Sequence, residues 1–215
     1  MVTFIPYEND HGQFKGFDMT QKRILVLDGH PGATSLSRHF TENYAKIASA
    51  AGAAVRVHHL SEMSFDVDFG KGDYSDFKPL EPDLEQFLSD LEWAEHLVVA
   101  TPMWWGGLPA KLKGLFDRAF IPGRTFNTRV TTRLGMPTPM LTGKTARVIM
   151  TSDTPHWFER LIYKRAVMHQ TEKQILGFVG IKPTRFSYFS GASDATEQTV
   201  QGWTDKVRAL ARQAA

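Results

Sequence analysis

The stretch that most constrains the fold is an uninterrupted apolar run followed by a loop rich in glycine and hydroxyl residues. Ile24 to Leu27 shows no alternation of polar and apolar side chains, which is typical of a strand buried on both faces within a parallel sheet. A short segment containing Gly29 and Gly32 follows, and residues 38–51 then have the pattern of a helix. Strand, tight loop and helix in this order predict a βα unit whose loop lies at the carboxyl edge of a sheet.

The entrance of this helix is a candidate phosphate site. A helix N-terminus offers unpaired backbone N–H groups and the positive end of the helix dipole. The hydroxyl groups of Thr34, Ser35 and Ser37 could add hydrogen bonds to a phosphate bound there. The same residue types are ordinary helix caps, so this stretch by itself leaves both interpretations open. The loop contains neither GxxxxGK(S/T) nor GxGxxG, and it therefore belongs to neither of the two familiar glycine-rich nucleotide motifs.

Strand and helix patterns alternate five times along the chain. This alternation predicts an α/β fold with a five-stranded parallel sheet and helices on both faces. Residues 1–21 are interpreted as an N-terminal extension and residues 22–215 as one domain, with irregular connections at 61–82 and 124–142. The predicted strands are 24–27, 53–60, 96–101, 146–151 and 184–189, and the predicted helices are 38–51, 84–93, 110–120, 158–176 and 196–211.

Composition excludes several classes of function. The length of 215 residues suits one well-buried domain, and a formal net charge of +2 gives no argument for a nucleic-acid partner. The absence of cysteine excludes disulfides, thiolate ligands and catalytic thiols, and we expect no metal site. No apolar run approaches the roughly 20 residues that span a membrane, and residues 1–21 lack the apolar core of a signal peptide. We therefore predict a cytoplasmic protein without membrane insertion.

Three of the predicted strands end in loops with unusual side chains, and these loops should share one edge of the sheet. Loop 30–37 offers hydroxyl groups, loop 102–107 offers two tryptophans and two glycines, and loop 151–157 offers small polar groups and a further tryptophan. A flat aromatic ligand with a phosphate, such as flavin mononucleotide (FMN), matches that set. Trp104 and Trp105 are also typical core residues, so packing is the alternative for both.

Two of these loops carry more specific motifs. Residues 28–31, Asp-Gly-His-Pro, together with residues 34–37, Thr-Ser-Leu-Ser, resemble the phosphate loop of the flavodoxin-like NAD(P)H:quinone reductase family. Residues 101–120, TPMWWGGLPAKLKGLFDRAF, are similar to the second flavin loop of that family and its following helix, and this is the more specific match. Residues 151–155 stand where the family has a small polar loop against the flavin ring. The resemblance extends from about Lys22 to the C-terminus and implies a flavodoxin-like fold.

The resemblance also implies a cofactor, an electron donor, an acceptor and an assembly. The family binds a flavin tightly and works as a homodimer with its active site at the subunit boundary. NADH or NADPH reduces the flavin, and a quinone or a similar small-molecule acceptor then takes two electrons. FMN is favoured over FAD because the chain lacks the C-terminal extension of the FAD-binding members. The predicted cofactor-binding residues of the three loops are His30, Thr34, Ser35, Leu36, Ser37, Pro102, Met103, Trp104, Trp105, Gly106, Thr151, Ser152, Asp153 and Thr154.

The sequence departs from the family pattern at the positions that would decide the chemistry. Leu36-Ser37 replaces an aromatic-plus-Asn pair, and residues 152–155 replace a glycine-rich loop. The family's Tyr and His near the flavin carbonyl have no clear counterpart, so the catalytic residue is unassigned. Asp153 either lies along the ring or caps the following helix, and Phe126 either contacts substrate or packs its connection onto the domain. The candidates for the catalytic role are His156, Trp157 and Tyr163.

Two other functions fit the same fold. One is a soluble flavin-binding regulatory subunit of a potassium efflux system, which would keep the flavin while its surface carries the function. The other is a one-electron carrier of the flavodoxin type. The near-neutral charge of the chain argues against the carrier, because such proteins steer their partners by strongly acidic surfaces.

Overall fold

The computed structural model describes residues 21–70 and 78–215, which form an α/β structure around a parallel sheet. In chain order the strands are β1 (Arg23–Asp28), β2 (Ala54–His59), β3 (His96–Pro102), β4 (Phe126–Thr131), β5 (Pro137–Pro139), β6 (Thr145–Ser152) and β7 (Thr184–Ser190). Five of them form the main sheet in the order β2-β1-β3-β6-β7, and every neighbouring pair is parallel. The predicted five-stranded parallel sheet is therefore confirmed.

Helices cover both faces of this sheet. They are α1 (Leu36–Ala50), α2 (Pro82–Trp93), α3 (Ala110–Ala119), α4 (His156–Leu161), α5 (Ala166–His169), a π-helical segment that continues it (Gln170–Leu176), and α6 (Glu197–Ala214). Successive side chains of a strand point to opposite faces, so the apolar run of β1 supplies both cores. Ile24 and Val26 are buried with Phe40 of α1 and Trp203 of α6, whereas Leu25 belongs to the cluster that contains the buried side chains of α2 and α3.

The connection 124–142 was expected to be irregular, and this expectation is wrong in part. It contains an antiparallel hairpin of β4 and β5, with an irregular register between Asn127 and Thr131. The Asn127 side chain accepts hydrogen bonds from the backbone N–H groups of Arg129 and Val130, and the Thr138 hydroxyl donates to the Val130 carbonyl. Side-chain hydrogen bonds thus support a short, irregular hairpin. Its second strand, β5, has three residues and begins and ends with proline, so the sequence shows no strand pattern there.

The prediction of a single helix at 158–176 is also wrong. The chain forms α4, turns at Lys164 and Arg165 with φ values of 51° and 56°, and resumes as α5 and the π-helical segment. The wide turn persists to Gly177, whose N–H donates to the Glu172 carbonyl at 2.9 Å, five residues earlier. A left-handed turn is usually marked by glycine in the sequence, but here it is formed by Lys164 and Arg165. The sequence therefore gives no sign of the break, and the spacing of the apolar side chains continues across it. This break shapes the wall of the site described below.

Gly29 brings α3 close to the end of β1. Its N–H donates to the Ala100 carbonyl at 2.7 Å, which extends the pairing of β1 and β3 beyond Asp28. A Cβ atom at position 29 would lie 2.7 Å from the Leu112 side chain and 3.1 Å from the Ala100 carbonyl oxygen. A side chain there would push α3 away from the sheet edge, so glycine is required by packing.

The predicted extension of residues 1–21 lies, apart from its last residue, outside the described residues. Among the helices of residues 21–70 and 78–215, none combines the length and the apolar character that crossing a bilayer requires.

Candidate functional site

The carboxyl ends of β1, β3 and β6 lie side by side at one edge of the sheet, so the three predicted loops meet there. β1 and β3 mark the point at which the strand order reverses, since β1 pairs with β2 on one side and β3 on the other. Ligands of open α/β sheets bind at such a point, outside the carboxyl ends of the strands. The backbone N–H of Met103 donates to the Thr151 carbonyl at 2.8 Å, and this bond ties the second loop to the third.

The first loop is organised by hydrogen bonds around His30. Its backbone N–H donates to a carboxylate oxygen of the fully buried Asp28, at 3.1 Å. Its Nδ1 lies 2.9 Å from the Gly32 backbone nitrogen and 3.2 Å from the Gly32 carbonyl oxygen, so this ring nitrogen is engaged within the loop. The edge of Trp104 packs against the ring, with 5.3 Å between centroids, so the first loop also touches the second. Nε2 is therefore the ring nitrogen that His30 can offer to a ligand.

One of the hydroxyl residues in this loop caps the helix that follows it. Ser35 has an extended backbone, and its Oγ accepts from the Arg38 N–H at 3.0 Å at the start of α1. Ser37 is buried, whereas Thr34 is exposed at the mouth of the loop. The helix entrance keeps its first N–H groups and its positive dipole end for an anion, and Thr34 is the hydroxyl best exposed to reach it.

The second loop is a tight turn with a strained aromatic residue. Trp104 and Gly107 exchange both backbone hydrogen bonds, at 3.0 and 2.9 Å, and Trp105 and Gly106 between them have φ values of 52° and 72°. Holding a non-glycine residue in the left-handed region costs about 1 kcal/mol or more. The turn presents the whole Trp105 side chain to the outside, where it is fully exposed. Trp105 is therefore not a core residue of this chain.

The third loop is held in place by hydrogen bonds from β7 and from the segment after it. The Tyr188 hydroxyl donates to the Thr154 carbonyl at 2.8 Å, and Ser152 Oγ accepts from the Thr154 N–H at 3.1 Å. Asp153 accepts from both the N–H and the hydroxyl of Ser193, each at 2.7 Å, and these bonds lower the pKa of its carboxyl. The alternative that Asp153 caps the following helix is wrong, because the N-cap of α4 is Pro155 and the Asp153 carboxylate is bonded to Ser193 instead. Its carboxylate instead joins the loop to the segment after β7.

The second and third loops line a cleft of about 760 Å³, within the range of small-molecule sites. One wall comes from the second loop, one from the third, and the remaining wall from the region where the predicted helix is broken. Several predicted residues thus meet at one surface, together with three that sequence reasoning missed. The lining residues are Met103, Trp105, Gly106, Ser152, Asp153, Thr154, Glu159, Tyr163, Ala166 and Val167.

The missed residues are Glu159, Ala166 and Val167. Glu159 is only 3% exposed although it lines the cleft, and its Oε1 has no hydrogen-bond partner among the described residues. Burial raises the pKa of its carboxyl, against the opposing charges of Arg165 and His156. In the sequence Glu159 is one charged residue near the start of an apparently continuous helix, and no motif distinguishes it.

Other predicted residues lie outside the lining of this cleft. Phe126 is 5% exposed and packs edge-on against Phe178, with 5.3 Å between ring centroids, so packing is the role seen within the chain. His156 is exposed and contacts the Tyr188 ring, and Trp157 is exposed on α4. Of the three catalytic candidates, Tyr163 lines the cleft. The first loop, Pro102, Trp104 and Thr151 are also outside the lining. Thr151 is hydrogen-bonded to Met103 of the lining, and His30 of the first loop contacts Trp104.

The fold and this edge site define a class of protein. Residues 22–211 match the family described as having a flavodoxin-like fold, and the chain belongs to that family. The predicted flavodoxin-like fold is therefore confirmed.

Three known proteins illustrate what this chain is similar to. The chain is 28% identical over 197 residues to FMN-dependent NADH:quinone oxidoreductase 2 of Jannaschia sp. (strain CCS1), covering 84% of this chain and 93% of that protein. It is 30% identical over 112 residues to the uncharacterized NAD(P)H oxidoreductase YcaK of Escherichia coli (strain K12), a match that covers 50% of this chain and 57% of YcaK. Among solved structures it is similar to an FMN-dependent NADH-azoreductase from Bacillus anthracis str. Ames Ancestor in complex with FMN, with a TM-score of 0.71 and 16% identity, covering 91% of this chain and 100% of that one.

Proposed function

We propose that the protein is a flavin-dependent NAD(P)H oxidoreductase that passes two electrons from a reduced nicotinamide to a quinone. The observation that carries the proposal is the convergence of an anion-binding helix entrance, an aromatic turn and a small polar loop at one switch point of the sheet. The similarity to FMN-dependent NADH:quinone oxidoreductase 2 supports the same reaction, with FMN as the cofactor and NADH as the donor. NADPH remains the alternative donor.

The residues of the site fit a flavin mononucleotide. The start of α1 and the Thr34 hydroxyl suit a phosphate, because they offer N–H and O–H donors and a positive dipole to an anion, and His30 leaves Nε2 for a further hydrogen bond. The cleft is lined by residues 103, 105 and 106 of the second loop and by residues 152–154 of the third, so both an aromatic side chain and polar groups are available to an isoalloxazine ring. When bound, a flavin supplies the hydride chemistry, while the chain places it and excludes water.

The test of this proposal is the absorbance spectrum of the purified protein. We expect bound-flavin bands, release of FMN and no FAD on denaturation, and rapid bleaching of the bands by NADH without air. Subsequent addition of a benzoquinone should restore the spectrum. Protein that stays colourless after incubation with FMN or FAD would contradict the proposal.

The regulatory-subunit alternative is not favoured, because relatives of the chain are named as enzymes. It predicts flavin binding with quinone turnover far below that of an enzyme, and co-purification with a membrane transporter. The steady-state rate with a benzoquinone therefore separates the two functions. A cytoplasmic location stays a prediction.

We also propose that two copies of the chain pair across this edge and complete the site. Large apolar side chains are exposed on the turn, on α4 and at the residue that follows α4. They are Trp105, Trp157, Leu161 and Ile162. A cluster of this kind beside a binding cleft is typical of a protein interface.

The pairing predicts that Leu161→Glu combined with Ile162→Glu yields a monomer, because two charges would be buried in the interface. Light scattering after gel filtration measures the mass, with Ala50→Glu at the exposed end of α1 as the control. We expect twice the chain mass for the unmodified protein and the control. A monomeric unmodified protein contradicts the pairing.

A further prediction concerns Trp105. Trp105→Ala should weaken FMN binding about tenfold, because a large aromatic surface beside the flavin ring is lost. Alanine is strained at this positive φ value much as tryptophan is, so the turn itself should change little. Fluorescence quenching of FMN on titration with apoprotein measures the dissociation constant, with Leu134→Ala, also exposed, as the control. An unchanged constant would show that this side chain does not hold the ring.

A further inference from the structure

Glu159 has the geometry of a buried acid that faces the cleft. Its backbone is fixed at both ends, since its N–H donates to the Pro155 carbonyl at 3.0 Å and its carbonyl accepts from the Arg165 N–H at 3.0 Å. The side chain lines the cleft with 3% of the residue exposed, and Oε1 has no partner in the described part of the chain. Leaving a buried polar atom unpartnered is costly, and such atoms in native structures commonly mark a functional role.

The surroundings of Glu159 favour its protonated form. Burial raises the pKa of its carboxyl above the ordinary value, and it is the largest influence on that pKa. The groups that act against burial are His156 on the same helix, Arg165 in the following turn and His169 on α5. Tyr188 faces it from β7, and Asp153 shares the lining of the cleft. A carboxyl that keeps its proton to a higher pH is suited to act as an acid near neutrality.

The other titratable residues of the lining are less suited to this role. Asp153 is engaged by two hydrogen bonds from Ser193 that favour its ionised form. Tyr163 is about half exposed, with its side chain accessible to bulk water. Glu159 therefore combines burial, an unpartnered oxygen and access to the cleft.

We propose that Glu159 is the acid that protonates the acceptor, a quinone carbonyl bound in this cleft; the inference rests on the proposed function. A quinone becomes a hydroquinone by gaining two electrons and two protons. A hydride equivalent, originating from the nicotinamide, brings both electrons and one proton. The other proton leaves the Glu159 carboxyl as its O–H bond breaks and the new phenolic O–H bond forms, and solvent then returns a proton to the carboxylate.

The experiment compares two acceptors in the FMN-loaded protein. A benzoquinone needs protons as well as electrons, whereas ferricyanide takes electrons alone. Glu159→Gln should slow reoxidation by the quinone about tenfold or more, because a positioned acid is lost, while reoxidation by ferricyanide stays within about twofold. Glu42→Gln, which neutralises an exposed glutamate on α1, should change neither rate.

One further measurement does not depend on the activity of that variant. In the apoprotein, carbon NMR of labelled glutamate carboxyls should show one group, absent from Glu159→Gln, that titrates above the usual glutamate range.

Three results would overturn the assignment of Glu159. They are equal slowing with both acceptors, no slowing with the quinone, and a Glu159 carboxyl that titrates in the ordinary range. If the unmodified protein reduces the benzoquinone with NADH in any of these cases, the proposed function stands and only this inference fails. If the unmodified protein reduces neither acceptor, the proposed function fails and the inference falls with it.

Discussion

Thr34→Glu is expected to weaken FMN binding at least about 100-fold, because it places a negative charge beside the phosphate site. Two unit charges about 4 Å apart near a protein surface repel by about 4 kcal/mol, and each 1.4 kcal/mol changes a dissociation constant about tenfold. Thr34 is exposed and Ser35 supplies the cap of α1, so the substitution should leave the helix intact. The loss therefore reports on charge at the ligand rather than on folding.

Thr34→Gln is the matched control for this experiment, since it has the size of glutamate without its charge. We expect its affinity to stay within about fivefold of the original protein, which corresponds to the loss of one hydroxyl hydrogen bond. Titration of the apoproteins with FMN at low salt gives both constants, and added salt should restore part of the affinity of Thr34→Glu. Equal affinities for the two variants would place the phosphate elsewhere.

Acidification is expected to destabilise the protein through His96, by roughly 2 to 3 kcal/mol at pH 4.5. His96 is 9% exposed, its Nδ1 lies 2.7 Å from the Thr145 hydroxyl, and its Nε2 has no partner among the described residues. Burial, and then the positive charges of Arg147 and Lys22, lower its pKa to about 4.

The sign of the effect follows from comparing the two states. An unfolded chain protonates this histidine at about pH 6.5, whereas the folded protein resists until about pH 4. Between these values the unfolded state binds more protons, so the stabilising contribution is present above pH 6.5 and is lost as the pH falls. His96→Gln should remove this contribution to the pH dependence, because glutamine does not titrate.

Urea unfolding at pH 7.5 and pH 4.5 measures the effect. The loss of unfolding free energy between the two pH values should be smaller for His96→Gln than for the original protein by the amount stated above. Parallel pH dependences for His96→Gln and the original protein would contradict a buried, neutral His96.

Parts of the molecule that depend on local pattern were predictable. The apolar runs of β1 and β3 are both fully covered, so their sequences contain no alternation, and each ends at a loop of glycine, proline or hydroxyl residues. Because parallel strands carry their loops to the same edge, the meeting of loops 30–37, 102–107 and 151–154 followed from the order of elements alone. That reasoning also placed Met103, Trp105 and Thr154 at the cleft.

Parts that depend on partners distant in sequence were not predictable. Asp153 takes its hydrogen bonds from Ser193, 40 residues later, so its local pattern suggested a helix cap instead. The sequence predicts Phe126 as a candidate substrate contact, and its packing against Phe178 is a contact that the local pattern does not show. Glu159 lines the cleft because the chain turns at Lys164 and Arg165, and two residues in the left-handed region leave no signal in a periodic sequence.

The amino-acid sequence by itself therefore determined the class of fold, the edge of the sheet that bears the site and the loops that build it. These follow from periodicity and from the geometry of parallel strands, which are properties of short segments. Only the tertiary structure decided which acid faces the cleft, because burial and the absence of a partner arise from contacts between segments that are far apart in the chain. An ionisable group acquires its chemical role from those contacts, and no local pattern records them.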